Sequence, residues 1–176
     1  MEKSDFKNNE EGSVEGLKVV IERATLADLE TIQKLNQELC EKENREFDET
    51  INSKYAFSKK GEEYFRARLE SSDALSILAK EGSVVVGYLM GGMAEPEDYR
   101  TVSSVAELES MYVQESMRGK GIGGKLVQQF EAWCKEKEVQ IIRVVASAQN
   151  TDAIKFYKSQ GAKEVSVTLE RALDSK

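Results

Sequence analysis

The sequence predicts an α/β fold: a mixed sheet with helices on its faces, in the element order βααβββαβαβ. Three observations carry that reading. Short runs of branched residues alternate with stretches whose apolar residues recur three and four apart. Two neighbouring strand-like runs, 74–80 and 83–93, are separated by little more than Glu81-Gly82, which marks a hairpin rather than a helical crossover. Residues 107–125 read ELESMYVQESMRGKGIGGK, an alternating strand that enters a glycine-rich basic loop and then an amphipathic stretch over 122–138.

Taken in order, residues 1–16 are polar and charged with no period, which predicts a tail outside a single domain over 17–176. Residues 17–23 (LKVVIER) read as the first strand. Thr25 with Asp28 three residues on is a capping-box pattern, and Leu26, Leu29, Ile32, Leu35 and Leu39 carry a helix to about Cys40. The polar connection 41–58 holds Phe47, Ile51, Tyr55 and Phe57, which either staple it to the core or line a ligand pocket. A second helix spans 59–71, followed by the hairpin and by a loop, 94–104, that carries the only proline, Pro96. The next strand spans 105–113. After the glycine loop, Leu126, Phe130, Trp133 and Cys134 form the buried face of a third helix. Residues 140–147 (QIIRVVAS) are nearly continuous in branched residues, as in a strand covered on both faces. Asn150-Thr151 opens a fourth helix through Ser159, Gly161 fits its C-terminal cap, and the alternation over 163–173 predicts a last strand.

Composition excludes several classes. The 176 residues contain no histidine, which removes Ser-His-Asp and Cys-His hydrolysis and most transition-metal sites, so no metal is expected. Cys40 and Cys134 lie far apart with no metal spacing and suit a reduced, cytoplasmic chain. No apolar run reaches the roughly 18 residues of a membrane span, and no signal peptide opens the chain. A net charge of −7 disfavours general nucleic-acid binding. It either draws a cationic substrate or merely keeps the chain soluble.

The glycine loop reads as a phosphate seat, the alternative being a tight turn with no ligand. Gly119, Gly121, Gly123 and Gly124 lack the Cβ atoms that hold a ligand off the backbone, and successive N–H groups can point into one concavity at the positive end of a helix. Arg118 and Lys120 add charge beside it. Three nucleotide patterns overlap there. The GxGxxG of residues 119–124 lacks the acidic residue that a dinucleotide fold places about 20 positions on, because the following strand ends Val144-Val145-Ala146-Ser147. The GxxxxGK of 119–125 is followed by Leu126, which cannot ligate magnesium as a P-loop Ser or Thr does. The third, Arg118-Gly119-Lys120-Gly121-Ile122-Gly123, has the form R/Q-x-x-G-x-G/A at a helix start.

That segment resembles the acetyl-CoA motif of the GNAT superfamily of N-acetyltransferases. The preceding strand MYV (Met111, Tyr112, Val113) is similar to the family's, as is Asn150 through Tyr157, which fits N-x-x-A-x-x-x-Y. The likeness covers about residues 17–173 and includes the element order. It implies a twisted, mostly antiparallel sheet of six to seven strands with about four helices. It also implies that the coenzyme A pyrophosphate rests on the backbone of Gly119, Lys120, Gly121, Ile122, Gly123 and Gly124, with Arg118 and Lys125 at the edge. The backbone of Met111 and Val113 would pair with the pantetheine arm. Asn150 would contact the arm or simply cap its helix.

The implied reaction is acetyl transfer to an amine, which must lose a proton before it can attack. Tyr157 resembles the family's general acid, a phenol able to protonate the leaving thiolate; it is also a plausible packing partner of Phe156. Glu107, with Glu109 as second candidate, resembles the family's base carboxylate at the start of this strand; solvated charge is the alternative for each. No covalent enzyme intermediate is expected. A coenzyme-binding sensor module without catalysis keeps the same loop, and a nucleotide-dependent enzyme is disfavoured by the two missing residues. Many family members carry Gly-Phe after the fourth helix where this chain has Gly161-Ala162, and residues 163–176 are short for two hairpin strands. A seventh strand is therefore expected to be missing, or exchanged with a second subunit in a homodimer.

Overall fold

A computed structural model describes residues 18–173. The expected tail over 1–16 lies outside the described residues. The chain divides into two compact units, one ending at Val145 and one beginning at Ala146.

The first unit contains a five-stranded sheet in the order β1-β2-β3-β4-β5. Its strands are β1 (Val19–Arg23), β2 (Ala74–Glu81), β3 (Val84–Ala94), β4 (Val105–Val113) and β5 (Ile141–Val144). All neighbours pair antiparallel except β4 and β5, which are parallel. Parallel neighbours need a crossover, and α3 (Ile122–Glu136) supplies it.

The entry to α1 (Leu29–Glu46) follows the capping-box pattern. The Thr25 N–H donates to Asp28 Oδ2 at 2.9 Å around a short 3-10 turn, Leu26–Asp28. The helix runs past Cys40, where its apolar period fades. The Glu-Lys-Glu-Asn-Arg-Glu run has high helix propensity, and i,i+4 contacts such as Gln37–Glu41 (2.8 Å) and Lys42–Glu46 (3.6 Å) support it. Asn44 ends it by donating to the carbonyls of Glu49 and Ile51. In the connection that follows, the staple is Ala56, 1% exposed, whose carbonyl accepts from buried Gln33 at 2.7 Å. Tyr55 and Phe57 are exposed, while Phe47 and Ile51 are half-buried. Ser58 caps α2 (Lys59–Glu70) by accepting from the Gly61 N–H.

Period-2 alternation sorts the sheet residues between two cores. On one face Leu78, Tyr88 and Met90 join Ile32 and Leu35 of α1 and Phe65 of α2. On the other, Ile77 and Leu89 are fully buried, as are Leu126 and Phe130 on the apolar face of α3. Gly91 allows that second packing. A Cβ there would stand 2.5 Å from the Glu107 carbonyl oxygen and 2.7 Å from the Phe130 ring. Gly91→Ala should therefore cost about 1–3 kcal/mol of stability by overpacking, read as a lower denaturant midpoint with an unchanged slope.

The second unit holds α4 (Thr151–Ser159). Asn150 Oδ1 accepts from the Ala153 N–H at 3.1 Å, and Gly161, at φ +93°, turns the chain out of the helix while the Ala162 N–H bonds back to the Tyr157 carbonyl at 3.0 Å.

Two expectations are corrected. Residues 163–173 form no strand among the described residues, so the sheet has five strands rather than six to seven and the order is βααβββαβα. Alternation supplies an amphipathic pattern, but a strand also needs a paired neighbour, which the pattern does not specify. The strand expected over 140–147 is only Ile141–Val144, the last strand of the sheet among the described residues, and its residues are half-buried or, at Ile142, 39% exposed rather than fully buried.

Candidate active site

The site is built around the second half of β4. Against β3, the register steps from Met90↔Ser110 to Gly91↔Leu108, which leaves Glu109 as the extra residue of a bulge. Against β5, pairing stops at Leu108↔Val144. From Glu109 to Val113, β4 therefore keeps β3 on one edge and has no strand on the other among the described residues. Peptide groups on that edge, among them those of Met111, can take up an extended ligand as a further strand.

The chain then turns through a 3-10 segment, Glu115–Met117, into the glycine loop. Gly119 and Gly121 adopt φ of +74° and +76°, a region that disfavours any side chain, and a Cβ at either would meet nothing within 4 Å. Among the described residues, the first N–H after Arg118 to donate within the chain is that of Lys125, to the Gly121 carbonyl at 3.1 Å. The amides of Gly119, Lys120, Gly121, Ile122, Gly123 and Gly124 are thus uncommitted at the N-terminus of α3, where its dipole is positive. Amides so placed at a helix start can take an anion.

Arg118 turns back from the loop. Its Nε donates to the Val113 carbonyl at 3.0 Å, and its guanidinium lies 5.4 Å from the Tyr112 ring centre. It fixes the loop to the end of β4, and it occupies one of the carbonyls expected to face a pantetheine arm. Burial first, then Glu38 on α1, raises the Tyr112 phenol above its ordinary pKa. Lys120 reaches Met117 Sδ at 3.5 Å.

The two candidate bases are both held by arginines. Glu109 accepts from the Tyr64 hydroxyl at 2.5 Å and from Arg68, both on α2. Burial and then the Glu109 carboxylate push the Tyr64 phenol well above its usual range, so at neutral pH it is a donor. Glu107 accepts from Arg143 of β5 at 2.8 Å, and Arg143 also bridges to Glu97 of the Pro96 loop at 2.5 Å. Sequence reading missed Tyr64, Arg68, Glu97 and Arg143. A signal existed for two of them: Arg143 is a lone charge in an apolar strand, and Arg68 follows Tyr64 by one helical turn.

Neither cysteine competes as a nucleophile. Burial, then Glu131, pushes the Cys134 thiol up to about 12, and burial, then Glu43 and Glu41, raises Cys40. In the second unit Tyr157 lies edge-to-face with Phe156 at 5.2 Å between ring centres, and the Asn150 side-chain oxygen serves as the helix cap. Among the described residues no group of three or more His, Cys, Asp or Glu is placed to hold a metal, and no helix is long and apolar enough to cross a membrane.

An open strand edge leads here into uncommitted amides at a helix start. The Acetyltransferase (GNAT) family profile matches residues 36–162, and the chain belongs to that family. An uncharacterised N-acetyltransferase of Methanocaldococcus jannaschii is 33% identical over 63 residues, a stretch that spans 36% of this chain and only 28% of that relative. Solved structures share the fold. A mutant of the BH1408 protein of Bacillus halodurans has a TM-score of 0.75 at 21% identity, covering 88% of this chain and 99% of that one. The aminoglycoside N-acetyltransferase AAC(6')-Iy in complex with CoA has a TM-score of 0.72 at 17% identity, covering 91% and 97%. An aminoglycoside acetyltransferase from an uncultured soil metagenomic sample, in complex with sisomicin, has a TM-score of 0.65 at 24% identity, covering 89% and 97%.

Proposed function

We propose that this protein is an acetyl-CoA-dependent N-acetyltransferase that moves an acetyl group to a primary amine by direct attack in a ternary complex. The observation that carries the reading is the run of uncommitted amides from Gly119 to Gly124, continuous with the unpaired edge of β4. Acetyl-CoA, as co-substrate, supplies an activated thioester carbonyl. The amides of 119–124 take its diphosphate, with Lys120 and Lys125 adding charge, and the backbone of Met111 and Val113 takes the pantetheine arm. Asn150 contributes its amide group to that arm while its oxygen caps α4.

The amine nitrogen attacks the thioester carbonyl, the C–N bond forms and the C–S bond breaks. Tyr157 gives its proton to the leaving sulfur. The proton lost from the amine passes to Glu107, or to Glu109, directly or through water. Arg143 and Arg68 hold these carboxylates in place. The residues that select the acceptor are those of 44–60 and the Pro96 loop, where Glu97 already contacts the Arg143–Glu107 pair.

The test is a panel of polyamines, amino acids, aminoglycosides and a lysine peptide, with release of the coenzyme thiol as readout. At least one amine should release thiol in proportion to acetylated product. Acetyl-CoA binding without turnover on any amine would instead favour a silent sensor module.

A further inference from the structure

We propose that Tyr64 and Arg68 of α2 are positioning residues for the coenzyme arm: they hold the Glu109 bulge, and the bulge sets the edge of β4 along which, on the function proposed above, the arm pairs. Glu109 is the extra residue between Met90↔Ser110 and Gly91↔Leu108. A bulge residue has no partner of its own across the ladder, and it bends the strand that carries it. The bend falls where pairing with β5 ends, at Leu108↔Val144. From there β4 has β3 alone as a neighbour among the described residues. With one ladder instead of two, side-chain ties decide how firmly residues 109–113 are held.

Those ties come from one helix. Tyr64 and Arg68 stand one turn apart, so they share a face of α2. The Tyr64 hydroxyl donates to Glu109 Oε2 at 2.5 Å, and the Arg68 guanidinium donates to Oε1. Both oxygens of the carboxylate are thereby held, and its side chain is only 14% exposed. The donors are themselves fixed. The Arg68 guanidinium lies 5.7 Å from the Tyr64 ring centre, and Tyr64 packs edge-to-face on Phe65, which is 1% exposed. Gly92 of β3 leaves the guanidinium its room, since a Cβ there would stand 3.1 Å from Arg68 Nη1. Without these donors the Glu109 carboxylate is left uncompensated, and it gains water only by moving the bulge. The other carboxylate differs. Glu107 accepts from Arg143 where β4 is paired on both sides, to Gly92 and to Arg143 itself. Two ladders hold the backbone there, so loss of that ion pair leaves the open edge in place. Glu109 thus serves the strand and not the proton transfer.

Amide-shift titrations of the full chain with coenzyme A and with ADP test it, since ADP carries a diphosphate but no arm. Tyr64→Phe and Arg68→Met should each raise the dissociation constant for coenzyme A about five- to tenfold, as the edge spends less time in the binding conformation. Their affinity for ADP should stay within about twofold of the wild type's, and Arg143→Met should leave both affinities within the same range. Tyr64→Phe keeps the ring and its contact with Phe65, so it tests the tie even where Arg68→Met fails to fold. Unchanged affinity for coenzyme A in Tyr64→Phe would overturn the proposal and leave the coenzyme reading standing. An equal loss for both ligands would overturn it too, because that marks general loosening, as would a loss in Arg143→Met as large as in Tyr64→Phe. A wild type that binds neither ligand would overturn the coenzyme reading along with it.

Discussion

Gly119→Glu should raise the dissociation constant for acetyl-CoA by roughly 30- to 150-fold, about 2–3 kcal/mol. The reason is charge. Two negative charges of a diphosphate about 5 Å from a carboxylate, at an effective dielectric between water and a protein surface, repel it by that amount. The fold should survive, because a Cβ at Gly119 projects into open space. The remaining cost is conformational. Gly119 sits at φ +74°, where a residue with a side chain is strained by roughly 1–2 kcal/mol. Gly82 is the matched control, at φ +59° with the same open surroundings in the β2–β3 turn. Gly82→Glu should lower the melting temperature by a similar few degrees and leave coenzyme binding alone. Equal affinities for the two variants would show that the loop holds no anion.

Tyr157→Phe should lower kcat by about 10²–10⁴-fold while the dissociation constant for acetyl-CoA stays put. A phenol that delivers a proton to the departing sulfur acts only as charge develops there, so its loss is felt in the transition state and not in binding. The ring is kept, and with it the edge-to-face contact to Phe156. A packing role therefore predicts little change, and an acid role a large one. The split between kcat and binding separates them without further assumptions, and an unaltered kcat removes Tyr157 from the chemistry.

The features that proved legible in the sequence were those set by local chemistry. Gly119 and Gly121 before a helix needed no distant partner to declare a turn of positive φ, and Thr25–Asp28 and Gly161 announced the ends of their helices through groups only a few residues away. The apolar stripe of Leu126, Phe130, Trp133 and Cys134 is buried as its spacing required. What escaped was set by strands meeting from far apart. The bulge at Glu109 exists only in the register between β3 and β4, and the end of pairing at Leu108 only in the register between β4 and β5. The arginines on Glu107 and Glu109 come from 36 and 41 residues away. The last strand failed for the converse reason: alternation over 163–173 was real, but a strand is a pairing and not a pattern. Family likeness placed the coenzyme and the roles, while the residues themselves argued only for an anion.

The most direct test is the amide spectrum of ¹⁵N-labelled protein titrated with coenzyme A. The amides of Gly119, Gly121, Gly123 and Gly124 should show the largest shifts, with those of Met111 and Val113 moving as the arm pairs along β4. Saturable binding that leaves the four glycine amides in place, and moves signals elsewhere on the sheet, would contradict the account at its root.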